Sequence, residues 1–229
     1  MRMMGSAFLV LSFLPFALAA KPLPRVAAGA APEPVLDIAG KVLRTGTYYD
    51  ILPVERGRGG GITFACTGHK SCPVDVMLED YEDSDGLPLQ FIPANRKKGV
   101  IRLSTDLNIK FPGPASCAAT AVWKVEKYDE LTSQMFISTS GVEGNPGPET
   151  VDNWFKIEKY GNDYKLVFCP TVCNDHCKVL CKDIGIYVDK EGFKRLALSD
   201  VPLKVKFKKF WRLLIIGHEC LTNAIKWLL

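Results

Sequence analysis

The sequence lacks the short motifs on which most catalytic sites are built. It has no Walker-type phosphate loop, no glycine-rich dinucleotide motif, no metalloprotease motif and no G-x-S-x-G nucleophile elbow. The histidines are His69, His176 and His218, and none of them belongs to such a motif. These absences predict that the protein is not an enzyme and that it needs no cofactor.

Long blocks of like charge are absent as well. The chain carries 29 basic and 25 acidic residues, a formal net charge of +4, and the two signs are mixed along it. A nucleic-acid-binding surface would need a basic stripe, and the lysines of residues 204–209 are more typical of a strand with one wet face. We therefore expect no nucleic-acid partner. N-x-S/T sites are also absent, so N-glycosylation is not expected.

Residues 1–19 have the form of a secretory signal peptide. One arginine precedes an apolar run that is too short for a good membrane span, and Ala17 and Ala19 complete an A-x-A cleavage site. Residues 20–34 are rich in alanine and proline and predict a flexible leader or propeptide. The mature protein is therefore expected to start near Ala20 or later and to be secreted, either to the extracellular space or to a vacuole.

The cysteines should form disulfides, because secretion places them in an oxidising compartment. Four of them are evenly spaced in the C-terminal third: Cys169, Cys173, Cys177 and Cys181. With His176 nearby, they raise the alternative of a zinc site. Pro170 argues against one helix that carries all four, and the usual C-x2-C pair is absent. We expect disulfides and no metal, but the spacing alone does not give their connectivity.

Short alternating segments rich in Val, Ile, Phe and Tyr recur along the mature chain, and Gly, Pro, Asn or Asp separates them. About a dozen such strands without a long helix predict a closed all-β architecture. The segment DKEG, residues 189–192, is typical of a hairpin turn. Residues 123–130 and 154–163 share the pattern K-[VI]-E-K-Y after a Trp, which indicates a weak internal repeat of strand pairs.

Three adjacent cations stand in the segment PANRKKGV (residues 93–100, the cationic loop). Pro93 and Gly99 mark a surface turn between two apolar, strand-like segments. One interpretation is a solvated tip whose charges keep it in water. The other interpretation is a ligand that enters a cation-selective pocket of a partner. The residues of the loop alone leave both interpretations open.

The segment VLDIAGKVLRTGTYYDI, residues 35–51, resembles the opening signature of the soybean-type Kunitz trypsin inhibitor family. The signature positions are Val35, Asp37, Gly40, Leu43, Tyr49 and Ile51. Further matching segments follow in order: GGGIT, CPVDV, STDLNIKF, WFKIEKY, YKLVFCP, DIGI, RLALSD and VKFKK. STDLNIKF and the Cys-rich segment look most like the miraculin-like branch. The resemblance implies an all-β fold, one β-trefoil domain over residues 35–209 with twelve strands in three pseudo-repeats.

The resemblance also implies a disulfide pattern. It pairs three sets of cysteines: Cys72–Cys117, Cys169–Cys181 and, nested inside the second bridge, Cys173–Cys177. By loop-closure entropy, the first bridge would contribute about 4 kcal/mol and the nested one about 2 kcal/mol. The pairing of Cys66 and Cys220 is left open. An odd thiol in a secreted chain suggests an intermolecular bridge, so a disulfide-linked dimer is a further expectation.

In this family the inhibitory loop lies between the CPxDV and STDL segments, where this chain has the cationic loop. The resemblance therefore implies a secreted plant defence protein that inhibits trypsin-like serine proteases by mimicking a substrate. Such proteases hold an Asp at the base of the specificity pocket, so an Arg or Lys side chain is the natural occupant. Alignment back from the following strand places Lys97 at the primary specificity position. Lys98 follows it and Arg96 is one gap away, so all three are candidates.

Strong inhibitors of the family support this loop from inside with an Asn, and the aligned residue here is Thr45. One hydroxyl cannot make the pair of hydrogen bonds that an amide makes. A looser loop favours an alternative function, that of a non-inhibitory miraculin-like defence, storage or taste-modifying-type protein. A third alternative, a carbohydrate-binding trefoil, would need exposed aromatic rings. Trp123 and Trp154 stand at strand positions where burial in the core is expected.

Residues 210–229 follow the last family segment and have no counterpart in the family. Charged residues interrupt this apolar tail and make it a poor membrane span. Contact with a membrane is therefore expected only if the tail lies on the surface as an amphipathic helix. We interpret the tail as an altered C-terminus that the fold does not need.

Overall fold

The computed structural model describes residues 31–66, 74–97, 99–113, 121–173 and 177–211. Several predicted features lie outside the described residues: the signal peptide, the leader before residue 31, the Cys72–Cys117 bridge, Lys98, Cys220 and the tail beyond residue 211. In the part of the chain that the structure covers, no helix has the length and apolar character that a membrane crossing requires.

Twelve β-strands and one short 3-10 helix make up the described fold. The strands are β1 (Tyr49–Pro53), β2 (Ile62–Ala65), β3 (Asp75–Leu78), β4 (Gln90–Pro93), β5 (Leu107–Lys110), β6 (Val122–Val125), β7 (Ile137–Gly141), β8 (Lys156–Tyr160), β9 (Asp163–Phe168), β10 (Lys182–Val188), β11 (Lys194–Ser199) and β12 (Lys204–Lys209). The 3-10 helix, Pro148–Asn153, lies between β7 and β8. The all-β class predicted from the alternating segments is confirmed.

The strands form one antiparallel sheet that closes on itself. Ten strands follow one another in the order β1, β12, β9, β10, β11, β3, β7, β6, β5 and β4, while β2 pairs with β3 and β8 with β9. The two ends of this order meet, because Tyr49 in β1 and Leu89, directly before β4, exchange backbone hydrogen bonds of 2.9 and 2.8 Å. Closure gives the two terminal strands of the order a partner on both sides.

The core forms because side chains alternate in direction along each strand. In β12, Val205 and Phe207 are fully buried, while the lysines beside them are partly exposed. The rings of Phe91 and Tyr164 pack against Phe207, with centroids 5.5 and 5.4 Å away. The lysine-rich strand is therefore a wall of the core with one wet face, as its sequence predicts.

Both tryptophans that the carbohydrate alternative would need are buried. Trp123 is 0% and Trp154 1% exposed. Trp123 packs edge-on against Phe155, with ring centroids 6.0 Å apart, and the indole N–H of Trp154 donates to the Thr150 hydroxyl at 3.2 Å. These two rings stabilise the core and present no face on which a sugar could stack.

Two disulfides close the segment between β9 and β10. They are Cys169–Cys181 and Cys173–Cys177, with Cα–Cα distances of 4.3 and 5.8 Å. This is the nested arrangement that the resemblance implies. Because all four thiols are used in these bonds, none of them is available as a thiolate ligand for zinc.

The packed domain begins slightly before the predicted boundary. The carbonyl of Glu33 accepts a hydrogen bond from the N–H of Leu103 at 2.9 Å, and Arg102 donates to the carbonyl of Pro32 at 2.6 Å. Residues 32–34, which were predicted to belong to the leader, therefore pack with the domain, because their backbone finds partners there.

The packed domain also reaches into the first residue of the predicted tail. The N–H of Phe210 donates to the carbonyl of Tyr48 at 3.0 Å, which continues the pairing of β12 with β1 by one step. Beyond it, Trp211 is 78% exposed and contacts Lys209 through a cation–π interaction, with 4.0 Å between Nζ and the ring centroid. Most apolar residues of the tail follow Trp211 in the sequence.

Candidate functional site

The cationic loop connects β4 to β5 through a closed neck. The two strands pair in antiparallel register up to Pro93 and Leu107. Directly beyond that pair, the N–H of Ala94 donates to the carbonyl of Asp106 at 2.9 Å. The loop therefore leaves the barrel and returns to it at one fixed place.

The N-terminal segment of the domain holds the returning limb of the loop. The N–H of Thr45 donates to the carbonyl of Gly99 at 3.3 Å, and the N–H of Ile101 donates to the carbonyl of Leu43 at 3.0 Å. Ile101 is also fully buried, so its side chain anchors the limb as well as its backbone.

Thr45, the predicted support position, lies beside the loop. A Cβ atom built on Gly99 would be 3.8 Å from the Thr45 hydroxyl oxygen, which is an ordinary van der Waals distance. The Thr45 side chain therefore lies near the returning limb, and the Thr45 backbone binds that limb. What the hydroxyl contributes to the stiffness of the loop stays a prediction.

At the tip, neighbouring cations have different environments. The Nη2 atom of Arg96 lies 3.1 Å from Oε1 of Glu143, although the Arg96 side chain is still 61% exposed. Lys97 is exposed, and within the described residues its ammonium group makes no ion pair or hydrogen bond. Lys98 lies outside the described residues. The candidates are therefore not equivalent, because Arg96 is engaged within the protein and Lys97 faces solvent.

A side-chain turn fixes the backbone directly before the tip. The N–H of Lys97 donates to the side-chain oxygen of Asn95 at 3.2 Å. An asparagine that accepts a hydrogen bond from the residue two positions later mimics a backbone turn and restricts the local conformation. The sequence of the loop therefore contributes part of its own rigidity.

Below the neck, Asp106 joins the loop to the disulfide-bonded segment. Its carboxylate accepts the N–H of Thr171 at 3.1 and 3.2 Å and the Thr171 hydroxyl at 2.5 Å. The ammonium of Lys156 lies 3.7 Å away, and the side chains of Lys156 and Asp106 are only 10% and 8% exposed. Because hydrogen bonds to a charged group are stronger than neutral ones, Asp106 is a firm link between the neck, the Cys-rich segment and β8.

A cavity of about 250 Å³ lies between the neck and the disulfide-bonded segment. Its lining includes Asn95, Val100, Ser104, Thr105 and Thr171. Pro93 and Ala94 also line it, so the cavity combines hydroxyl and amide groups with apolar atoms. The cavity therefore borders the loop at Asn95 and Val100.

Sequence reasoning missed two residues that contact the loop, Asp106 and Glu143, and it also missed Thr171, which binds Asp106. Asp106 stands in the quoted segment STDLNIKF, but no role was assigned to it. Glu143 is 47 positions from Arg96 in the sequence, so no local pattern links the two. Their contacts depend on the strand order, which brings β7 and β5 to the same side of the barrel as the loop.

Comparison with known proteins gives a family match over most of the chain. The family of legume Kunitz proteins, described as "Trypsin and protease inhibitor", matches residues 35–209. The chain is 55% identical over 180 residues to Kunitz trypsin inhibitor 5 of Arabidopsis thaliana, covering 79% of this chain and 87% of that protein. It is 50% identical over 214 residues to miraculin of Synsepalum dulcificum, covering 90% of this chain and 96% of that protein.

The fold is similar to that of solved structures as well. The Kunitz-type cysteine protease inhibitor PCPI-3 from potato superimposes with a TM-score of 0.68 at 34% identity, covering 80% of this chain and all of that one. Together with the twelve strands, this likeness confirms the β-trefoil that the resemblance implies. The match to miraculin confirms the miraculin-like branch.

Proposed function

Because the chain belongs to the legume Kunitz family of trypsin and protease inhibitors, we propose that it inhibits trypsin-like serine proteases with the cationic loop as a substrate mimic. The family consists of protease inhibitors rather than enzymes. The single observation that carries the proposal is the contrast at the tip: the Lys97 ammonium group is exposed and has no ion pair or hydrogen bond among the described residues, on a loop that the barrel holds at both ends.

Lys97 is the residue that we assign to the specificity pocket of the protease. A trypsin-like pocket ends in a buried carboxylate, which binds an extended cationic side chain. Among the described residues, the Lys97 ammonium group has no ion pair or hydrogen bond that it would have to break before it enters such a pocket. Arg96 would first have to leave Glu143, from which it is separated by 3.1 Å.

Inhibition, as opposed to digestion, requires that the loop stays ordered before and after a peptide bond is cut. Order before binding lowers the entropic cost of the complex. After a cut between Lys97 and Lys98, the incoming limb would still be bound at Ala94 and the returning limb at Gly99 and Ile101. The two new ends would therefore remain close together, and religation would compete with release.

A titration of trypsin with the mature protein tests this function. We expect inhibition that saturates at one inhibitor per enzyme, and we expect chymotrypsin to be inhibited far less. As a control, the variant with Arg96, Lys97 and Lys98 all replaced by Ala should fold normally by circular dichroism and lose the inhibition. The proposal is wrong if this variant inhibits trypsin as strongly as the parent protein.

A non-inhibitory function is the second candidate, and two observations favour it. The chain matches miraculin over 90% of its length, and a cavity of about 250 Å³ borders the cationic loop at Asn95 and Val100. A folded parent protein that leaves trypsin fully active at micromolar concentration would support this candidate. The protein would then be a storage, defence or taste-modifying-type protein, and the three cations of the loop would form a solvated tip.

For the ends of the chain we propose secretion with removal of residues 1–19, followed by a leader before the domain. N-terminal sequencing of the protein from its natural source should find a start at or after Ala20, and a start at Met1 would contradict the assignment. The membrane contact predicted for the tail and the disulfide-linked dimer both stay predictions. Gel electrophoresis with and without a reducing agent tests the dimer.

A chain that ends at Trp211 tests whether the tail is dispensable. We expect the same midpoint of thermal unfolding as for the full chain, because the family match ends at residue 209 and the last backbone pairing described is that of Phe210. A clear drop of the midpoint would show that residues beyond Trp211 stabilise the domain.

A further inference from the structure

Arg96 lies in a seat formed by the segment that follows β7. Its guanidinium contacts the Glu143 carboxylate at 3.1 Å. It also lies close to Gly144, because a Cβ atom built on that glycine would come within 2.7 Å of Nη2 of Arg96. Gly144 has a φ of +79°, a conformation that favours glycine. A side chain at position 144 would therefore strain the seat (Glu143 and Gly144) and displace the end of the Arg96 side chain.

Buried amides hold the seat in place. The N–H of Gly144 donates to the side-chain oxygen of Asn108 at 2.8 Å, and the amide of Asn108 donates to the carbonyl of Asn153 at 2.8 Å. The amide of Asn153 in turn donates to the carbonyl of Val142 at 3.2 Å. Asn108 is fully buried and belongs to β5, the strand into which the loop returns. The backbone of the seat is thus anchored to the barrel.

The carboxylate of the seat is oriented by a second cation. The other oxygen of Glu143 binds the ammonium of Lys110 at 2.8 Å, and the two side chains are 33% and 29% exposed. Lys110 stands at the end of β5. Glu143 therefore bridges a strand of the barrel and the tip of the cationic loop, and its position is set before Arg96 binds.

We propose that the seat is an external support of the cationic loop and that Glu143 is a positioning residue for Lys97. By holding Arg96 to one side, the seat restricts the backbone directly before Lys97 and leaves Lys97 as the cation that a protease meets. The proposal rests on the proposed function, since Lys97 has to be the residue that the protease binds. The loop is thus held near its tip by Glu143 as well as by Thr45 and at the neck.

The support itself is tested without any protease. In the Glu143→Gln variant, hydrogen–deuterium exchange of the backbone amides of residues 95–97 should become faster, because Arg96 is released. The Glu55→Gln variant is a matched control, since Glu55 forms an exposed pair with Arg58 at the same distance of 3.1 Å in the turn after β1. Exchange in residues 95–97 that is no faster in Glu143→Gln than in this control would overturn the proposal.

The effect on a protease is tested with trypsin. An exposed ion pair contributes modestly, so we expect Glu143→Gln to bind trypsin about two- to fivefold more weakly. Arg96→Gln should have a similar effect, and the double variant should be no weaker than either single one, because both changes break the same contact. Slow cleavage of Glu143→Gln by trypsin should also shift partly to the bond after Arg96, which a merely structural role would not cause.

The outcomes separate the support from the inhibitory function. If the parent protein does not bind trypsin, the proposed function fails, and the exchange experiment alone decides whether the seat supports the loop. If the parent protein inhibits trypsin and the effects of the two single variants add fully, Glu143 does not act through Arg96 and the proposal is overturned. Faster exchange together with non-additive binding supports it.

Discussion

The cationic loop and the turn between β6 and β7 (residues 126–136, the β6–β7 turn) both present exposed side chains, but they are held in different ways. In the β6–β7 turn, Leu131 is 97% exposed, and the turn closes on itself. The N–H of Asp129 donates to the carbonyl of Gln134 at 2.8 Å, and the carboxylate of Asp129 accepts the N–H of Leu131 and the hydroxyl of Thr132, both at 3.0 Å. Apart from the turn between Asn95 and Lys97, the cationic loop is held by residues that lie outside it: Thr45, Asp106 and Glu143.

The two segments are both exposed, but different kinds of contact make them rigid. A turn that supplies its own hydrogen bonds is ordered wherever the barrel places it, so its conformation is a local property. A loop that is held by other elements can be stiffened or loosened by substitutions that leave its own sequence unchanged. We infer that inhibitory strength in this chain can vary while the barrel stays the same.

The largest effect is expected from Lys97→Ala, which removes the cation that faces the carboxylate of the protease. Loss of such a contact costs about 2–5 kcal/mol of binding free energy. Lys97→Arg should retain most of the binding, because the pocket accepts either cation. Leu131→Ala in the β6–β7 turn is the matched control, and we expect the inhibition constant for trypsin to stay unchanged. Equal effects of Lys97→Ala and Leu131→Ala on trypsin inhibition would contradict the assignment of Lys97 to the specificity pocket.

Next in size is Asp106→Asn, which weakens the link below the neck. Hydrogen bonds to a charged group contribute about 1.5–3 kcal/mol, and the substitution also leaves the nearly buried Lys156 without its carboxylate. We expect the free energy of unfolding in urea to fall by about this amount, and trypsin inhibition to weaken as the neck loosens. Unchanged stability would show that Thr171 and the disulfide-bonded segment do not depend on Asp106.

The two regions also show what could be predicted from sequence. Alternation along the strands predicted the all-β class, and DKEG predicted the hairpin in which Gly192 has a φ of +91°. These signals are local, because a strand face or a turn is encoded within a few residues. The contact of Arg96 with Glu143 spans 47 positions and requires the strand order, which no local pattern contains. Pro93 and Gly99 located the loop, but its inhibitory role followed from the resemblance rather than from its composition.

Thr45→Asn tests the same comparison by adding a support to the cationic loop instead of removing one. An amide at this position, next to Gly99, could reach the loop with one more hydrogen bond, worth about 1 kcal/mol. We expect trypsin to dissociate more slowly from this variant than from the parent protein. Thr45→Val, which keeps the shape and removes the hydroxyl, serves as the control. If Thr45→Asn binds no better than Thr45→Val, a missing internal support does not limit the loop.

The smallest effect concerns the β6–β7 turn at low pH. The pKa of Asp129 is held below its ordinary value of 3.8, chiefly by the N–H of Leu131 and then by the Thr132 hydroxyl. A lowered pKa means that the stabilisation is complete above the ordinary value and is lost as the pH falls through the lowered one. The amide resonance of Leu131 should therefore shift on acidification with a midpoint below 3.8. A midpoint above that value would contradict the self-closed turn.

The most direct test of the substrate mimic is to identify the peptide bond that trypsin cuts. The parent protein is incubated with a catalytic amount of trypsin, and the new N-terminus is sequenced while inhibition is followed. Substrate mimicry through Lys97 predicts slow cleavage at a single bond, a new N-terminus at Lys98, and inhibition that persists after the cut. Cleavage mainly after Arg96 or Lys98, or rapid digestion of the whole loop with loss of inhibition, would contradict it.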